Sequence, residues 1–300
     1  MKKSFTLFAL FLGLGMANAQ TDWQKEELKG KVKELSEKRR KSMKDIPPND
    51  WEITQDKTLV FNLQGYKTKQ NNLNYEKRDE DNIEYEYDAK GKLTAERSFS
   101  SVGHRFIKGI AYSYDKKNNL TSEITIYSFG EPRYGTIYTY DRNNNLLEKK
   151  ETSGYGTSEE KYKYNSKNQK IEENTASWIG RYRSFFEYDT KGNVINESIY
   201  RSDVIVNTVK NKYADNGKIS EKTTFSYTNG KNPKKTEYQT YKYDLMDNLI
   251  EYIYESHILT RPFPTTYKYE YDTSKNWIKR EKYEYNKLKE VIVRKIVYFD

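Results

Sequence analysis

One unit recurs along this chain and restricts what it can become: an aromatic residue, any residue, a tyrosine, an aspartate or asparagine, a few turn residues, then an aliphatic. It reads Tyr85-Glu86-Tyr87-Asp88, with Gly91 and Leu93 after it. It returns at Tyr112, Tyr114 and Asp115 with Asn118 and Leu120, and at Tyr138, Tyr140 and Asp141 with Asn144 and Leu146. Tyr162, Tyr164 and Asn165 follow with Asn168 and Ile171, then Phe186, Tyr188 and Asp189 with Gly192 and Val194. Tyr213 with Asp215, Gly217 and Ile219 is a degraded copy. Tyr241, Tyr243 and Asp244 lead to Leu249, and Tyr269, Tyr271 and Asp272 lead to Ile278. Phe61-Asn62 with Gly65 opens the series, and Tyr283-Glu284-Tyr285-Asn286 closes it in truncated form. The second aromatics, at 61, 87, 114, 140, 164, 188, 213, 243 and 271, stand 24 to 30 residues apart. A period in that range is the mark of a repeat architecture.

The residues of one unit dictate its shape. Side chains alternate across a strand, so Tyr-x-Tyr places both rings on one face; Tyr267, Tyr269 and Tyr271, and likewise Phe106, Ile110, Tyr112 and Tyr114, fall into such rows. The following Asp or Asn suits the first position of a type I turn, where its side chain accepts from backbone two residues on. Four residues beyond the tyrosine the chain needs a positive φ, which glycine adopts freely and asparagine tolerates. A second strand then starts at the aliphatic, with Leu120, Ser122, Ile124 and Ile126 expected on one face. Each unit is therefore a β-hairpin, and Gly103, Gly130, Gly154 and Gly230 fall in the looser connections between units. Nine units imply about 16–20 antiparallel strands, more than the ~10 that an open twisted sheet holds without curling or splitting. The expected fold is all-β: a long meander of tandem hairpins that curls, wraps or closes, its tyrosines stacked as cross-strand ladders and their hydroxyls reaching water or a partner.

Composition supports a folded chain. Aliphatics are sparse, but 29 Tyr, 12 Phe and 4 Trp supply apolar surface that disordered chains lack. The absence of cysteine rules out disulfides, thiol catalysis and cysteine zinc sites. The 53 basic and 44 acidic residues give a net charge of +9 but are closely interleaved. They read as a solvated surface, so nucleic acid is not an expected partner, whereas anionic glycans or acidic cell-surface polymers could be attracted.

The domain plan has three parts. Residues 1–19 read as a secretory signal: Lys2 and Lys3, an apolar run from Phe5 to Met16, and an Ala17-Asn18-Ala19 cleavage site. No cysteine follows for a lipid anchor, and no later run is long enough for a transmembrane helix. The expected location is periplasmic or extracellular. Residues 20–55 form an N-terminal segment, where Trp23, Leu28, Val32 and Leu35 fit a helix face while the stretch from Leu28 to Lys33 fits a leading strand. The reading favours a short helix to about Leu28, then a strand, with a loop at Pro47-Pro48. Residues 56–300 form the repeat domain. Its last segment, with Val291-Ile292-Val293 and Ile296-Val297-Tyr298, reads as a closing strand apolar on both faces that caps the sheet edge or pairs with another chain.

Reactive centres are not evident. His104 and His257 lie far apart and read as surface or turn residues. Carboxylates are plentiful, but turn formation explains most, and Glu96, Glu123, Glu148 and Glu172 read as a solvated stripe. The Asp-rich turns lack the ligand density of a calcium loop, and no nucleotide-binding glycine pattern is present. No metal, cofactor or catalytic residue is assigned. Aromatics outside the motif are the candidate ligand-binding residues, since loops on a rigid scaffold carry recognition: Trp178, Tyr182 and Phe185 around Gly180, Tyr134 beside Pro132, and Phe263 between Pro262 and Pro264.

The units resemble the YD-repeat, or RHS-repeat, family, whose signature is Tyr-Asp-x-x-Gly-Asn-Leu. Tyr188-Asp189-Thr190-Lys191-Gly192-Asn193-Val194 and Tyr87-Asp88-Ala89-Lys90-Gly91-Lys92-Leu93 come nearest to it, and the resemblance runs from about Val60 to Asn286. Several copies lack the glycine, and the chain contains no Asp-Pro processing motif, so it is more similar to the short, exported, stand-alone members than to toxin carriers. The resemblance implies a β-strand shell around a hollow, with carbohydrate binding or encapsulation as the associated roles. The functional expectation is a non-enzymatic exported protein that binds a glycan or a cell-surface protein. The alternative is a structural or interaction protein: a shell, a toxin neutraliser or an envelope assembly factor.

Overall fold

The computed structural model describes residues 21–42, 46–75, 79–154 and 156–300; the signal segment at 1–19 lies outside them. A one-turn helix, α1 (Asp22–Lys25), precedes β1 (Val32–Lys41) and β2 (Ile53–Phe61). The hairpins then run as β3 (Lys67–Asn74), β4 (Asp79–Tyr87), β5 (Leu93–Phe99), β6 (Phe106–Tyr114), β7 (Leu120–Tyr127) and β8 (Gly130–Tyr140). They continue as β9 (Leu146–Ser153), β10 (Gly156–Tyr164), β11 (Lys170–Ser177), β12 (Gly180–Tyr188), β13 (Val194–Arg201) and β14 (Val204–Tyr213). The last are β15 (Ile219–Thr228), β16 (Lys231–Tyr243), β17 (Leu249–Ser256), β18 (Phe263–Tyr271), β19 (Trp277–Glu284) and β20 (Lys287–Tyr298).

Each strand pairs antiparallel with its sequence neighbours, and β20 pairs with β1, as in Arg294↔Glu37 and Ile292↔Arg39. The meander is thus a closed ring of 20 strands. Closure removes the free edges that a long open sheet would expose. The expected helix and strand at the N-terminus are both present, although the helix stops at Lys25. The closing strand caps an edge by finding the first strand of its own chain.

Connections after even-numbered strands gather at one end of the ring, the Asp-turn end, and those after odd-numbered strands at the other, the tip end. At the Asp-turn end each loop is built alike. Asp189 Oδ1 accepts from the backbone N–H of Lys191 and Asn193, and its Oδ2 accepts from the Asn193 side chain. Asp88, Asp115, Asp141, Asn165 and Asp244 repeat the backbone part of the pattern. The fourth loop residue has φ between 59° and 89° at Gly65, Gly91, Asn118, Asn144, Asn168, Gly192 and Gly217, as expected, and also at Asp247 and Lys275.

A β-bulge follows at the second aromatic: Glu187 pairs Asn196, but Tyr188 pairs Val194. A bulge leaves one residue outside the ladder, and the tyrosine one unit downstream donates its hydroxyl to the carbonyl beside it. Tyr114 bonds Leu93 O at 2.8 Å, Tyr140 bonds Leu120 O at 2.8 Å, Tyr164 bonds Leu146 O at 2.9 Å and Tyr188 bonds Lys170 O at 2.6 Å. Tyr213 and Tyr243 do the same to Val194 and Ile219. The motif tyrosine is a latch between hairpins, which explains why the unit needs a phenol at that place.

The bulge also corrects two expectations. Leu120 pairs with Tyr114, whereas Ser122, Ile124 and Ile126 pair with Ser113, Ala111 and Gly109 on the opposite face. The expected carboxylate stripe splits as well. Glu96 and Glu123 stand opposite Tyr85 and Tyr112 on the tyrosine face, while Glu148 and Glu172 pair with Lys161 and Lys163 on the other. Counting two residues into the second strand instead of three reverses the face.

Among the described residues the packed apolar core is confined to the seam where the ring closes. Leu28, Val32, Leu35, Leu59 and Phe61 form one buried cluster, with Trp23, Ile296 and Tyr298 against it. The spacing of Val32 and Leu35 is helical, yet both point inward from a strand, because a register shift falls between Val32 and Glu34. The N-terminal segment crosses the Asp-turn end: Asp22 accepts from Lys67 N–H and the Tyr87 hydroxyl, and Lys29 exchanges backbone hydrogen bonds with the Asn276 side chain.

Candidate functional site

The tyrosine face lines the inside of the ring. A ring of so many strands encloses more space than its side chains fill. The lumen-side Lys149, Glu160 and Lys170 accordingly keep 29, 27 and 33% exposure. The outer face carries charge at the same level of four hairpins, in cross-strand pairs Lys163–Glu172, Lys212–Glu221, Lys242–Glu251 and Lys279–Glu270, each at 2.8 Å. A lipid-facing charge near mid-membrane costs about 2–4 kcal/mol, so this wall is built for water on both sides. No helix among the described residues is long and apolar enough to cross a membrane.

Inside, one layer of residues faces the first motif position across each hairpin, an aromatic except in the degraded copy, where Lys222 faces Asn211. The layer reads Glu96, Glu123, Lys149, Glu173, Glu197, Lys222, Tyr252 and Arg280 in chain order. Four glutamates lie in the layer from β5 to β13, interrupted by Lys149, and Lys170 pairs with Glu173 at 2.6 Å. Burial pushes the Tyr112 hydroxyl well above its usual range, and Glu96, to which it donates at 2.9 Å, adds to the shift. Tyr162 sits likewise against Glu160. Burial raises the Glu197 carboxyl, opposed by a Ser184 hydrogen bond. Tyr164 is pushed up to about 12, first by burial and then by Asp141.

The seam is cationic instead. Arg294 Nε lies 3.0 Å from Glu37, and its guanidinium sits 3.3 Å from the centre of the Trp277 ring. Arg280 and Arg39 approach the two oxygens of Glu290 at 3.2 and 3.6 Å, and the Nε atoms of both are buried without a hydrogen-bond partner. Sequence reading missed this cluster. Its signal was Arg280, which stands where four other units place glutamate.

The raised tyrosines carry a testable consequence. A folded-state value above the unfolded ~10 means that the neutral phenol stabilises the fold below pH 10, and that this stability is lost as pH rises through the folded value. An absorbance titration at 295 nm should leave the lumen set, Tyr112, Tyr162 and Tyr164 among them, un-ionised at pH 11, and show them released with the fold above about pH 12. Full titration of all tyrosines near pH 10 with the fold intact would contradict a lumen-facing placement.

Four of the five sequence-predicted ligand residues fall in the half of the ring toward the tip end, while Phe185 lies nearer the Asp-turn end of β12. Trp178 stands in the β11–β12 tip, 74% exposed. Tyr182 pairs with Thr175 and Arg201 on the lumen face, and the Arg201 guanidinium lies 5.7 Å from its ring centre. Phe185 pairs with Glu172 and Ser198 on the outer face, so the expected grouping around Gly180 is divided between the two sides of the wall. Tyr134 pairs with Thr125 on the lumen face and meets Tyr127 edge-on at 5.8 Å. Phe263 pairs with Tyr254 on that face and meets Tyr285 edge-on at 5.1 Å. Tyr134, Tyr182 and Phe263 therefore belong to an aromatic collar at the lumen mouth. Both histidines sit in tip-end turns, and His104 stacks on Phe99 at 4.2 Å. No cluster of three or more His, Asp or Glu suited to a metal occurs among the described residues.

No protein-family description matches the chain, and no curated protein sequence does. Several solved structures are similar in fold. The pore form of the Photorhabdus luminescens Tc holotoxin is 12% identical with a TM-score of 0.42; the match covers 81% of this chain and 15% of that one. A porin-like protein from Bacteroides uniformis is 11% identical with a TM-score of 0.38, covering 89% of this chain and 98% of that one. A porin-like protein from Bacteroides vulgatus is 9% identical with a TM-score of 0.30, over the same shares. This chain thus spans about a seventh of the toxin chain and nearly all of the porin-like chains.

Proposed function

We propose that the protein is exported and works without catalysis, binding a glycan in the mouth of its lumen. The supporting observation is the collar: Tyr134, Tyr182 and Phe263 share the lumen face near the tip end, and Arg201 lies over Tyr182. Aromatic faces offer stacking surface to sugar rings, and adjacent cations favour acidic ones. The basic seam behind the collar adds to that preference. The YD-repeat resemblance, with its link to carbohydrate binding, agrees with this reading. A second reading, an interaction protein or shell, is favoured by the hollow ring and by the exposure of Trp178, since tryptophan is a frequent hot spot of protein contacts.

A glycan array followed by titration of the best binder tests the proposal. Tyr182→Ala should weaken affinity at least tenfold, about 1.4 kcal/mol, and Tyr134→Ala comparably, with Phe185→Ala on the outer wall without effect. Binding unchanged by both collar substitutions, or retention of an envelope protein with no glycan, would overturn the glycan reading; the latter result would support the second.

A further inference from the structure

The tip end carries exposed apolar residues that chain reversal does not require, although Phe129 also stacks on Tyr127 at 5.3 Å. Val102, Phe129, Trp178 and Ile258 are 79, 72, 74 and 65% exposed, and each sits in the connection after an odd-numbered strand. Ile179, Val204 and Leu259 are also exposed there. Hairpin tips favour Gly, Asn, Asp and Ser, so chain reversal explains none of these residues. At the Asp-turn end the comparable cases are Leu63 and the adjacent Leu245 and Met246, confined to two loops among hydrogen-bonded Asp and Asn side chains. Isolated apolar residues are ordinary on a surface; a set recurring on four tips of one end is not.

Basic residues outnumber acidic ones at that end, although Glu255 and Glu284 also flank its tips. Arg105, Arg181, Arg201, Arg261, Lys231 and Lys234 stand beside the tips from β5 to β18, against the exposed Asp203; the longer β1–β2 connection adds Asp50 and Glu52. Successive tips are two strands apart, about 10 Å, around a wet mouth. They form separate points and not one continuous patch of the kind a protein partner covers. Apolar tips interleaved with cations fit the boundary between headgroups and acyl chains of an anionic bilayer. The cross-strand ion pairs of the outer wall would hold insertion to the tips alone.

We infer that the tip end docks on an anionic lipid surface, with Val102, Phe129, Trp178 and Ile258 inserted and the neighbouring arginines and lysines against the headgroups. The docked end is also the one that carries the collar and Arg201, so docking turns the lumen mouth toward the bilayer; vesicles that contain no glycan keep this test separate from that of the glycan reading. Flotation of the protein with vesicles of phosphatidylglycerol and phosphatidylcholine, against vesicles of phosphatidylcholine alone, tests it. The protein should float with the anionic vesicles, at least tenfold less with the zwitterionic ones, and lose most binding at high salt. The triple variant Val102→Ser, Trp178→Ser, Ile258→Ser should bind at least tenfold more weakly with an unchanged circular dichroism spectrum and melting temperature, because these tips are largely solvent-exposed. Wild-type protein left at the bottom of the anionic gradient would overturn the inference, as would equal flotation of the variant. Capture of an envelope protein through the tips in the absence of any flotation would also overturn it.

Discussion

Leu59→Ala is expected to lower the unfolding free energy by about 3–4 kcal/mol, within the range for fully buried leucines, while Ile110→Ala in the wall costs about 1 kcal/mol. Leu59 is completely buried, paired with Leu35 of β1 and packed in the seam cluster with Val32 and Phe61. Ile110 is half-buried on the lumen face of β6, where one side of its neighbourhood is water. The difference follows from where the chain keeps its core. Hairpins along the meander are held by local ladders and tyrosine latches, but β1 and β20 are joined across nearly the whole length of the chain, and bringing such distant segments together costs loop-closure entropy. The seam cluster offsets that cost. Urea unfolding followed by far-ultraviolet circular dichroism measures both variants. Equal losses at the two sites would mean that the seam is not where stability is concentrated.

Gly65→Ala is expected to cost roughly 2–4 kcal/mol, against about 1 kcal/mol for Gly217→Ala. Both glycines occupy the same loop position, with φ of 83° and 77°, so both substitutions incur the left-handed strain. Only at Gly65 does a side chain meet an obstacle: an added Cβ would come within 2.5 Å of the Trp23 ring, whereas at Gly217 nothing lies within 4 Å. Trp23 packs against Phe61 and donates its indole N–H to Val32 O at 2.7 Å. Displacing it loosens the N-terminal segment and the seam together. Thermal melts of the two variants isolate this packing contribution from backbone strain, and equal shifts would show that Trp23 does not brace the loop.

Much of the fold was legible because the repeat states its own geometry. Asp189 and Gly192 announce the turn, and the alternation of Tyr267, Lys268, Tyr269, Glu270 and Tyr271 announces the two faces. The strand number and the curling of the sheet follow from the count of copies. Closure by β20 onto β1 was less legible, because pairing between sequence-distant strands leaves no periodic trace. The faces of Glu96 and Glu123 were misread because the bulge at each tyrosine shifts register by one residue, and the motif does not display a bulge. The same alternation that united Tyr85 with Tyr87 separates Tyr182 from Phe185, which are three positions apart. Arg39, Arg280 and Arg294 meet only through the closed seam, so the basic side of the lumen could not be assembled before the ring was.

Lys38 and Val293 are cross-strand partners at the seam, both exposed on the outer face. Antiparallel partners stand about 4.5–5.5 Å apart at Cα, which a disulfide spans, and the native chain has no cysteine to interfere. The variant Lys38→Cys, Val293→Cys should therefore close an intramolecular disulfide under mild oxidation, giving a monomer that migrates faster unreduced, while Lys38→Cys with Lys163→Cys stays reduced. A seam pair that remains as free thiols, or that links only between molecules, would contradict a ring closed by the first and last strands.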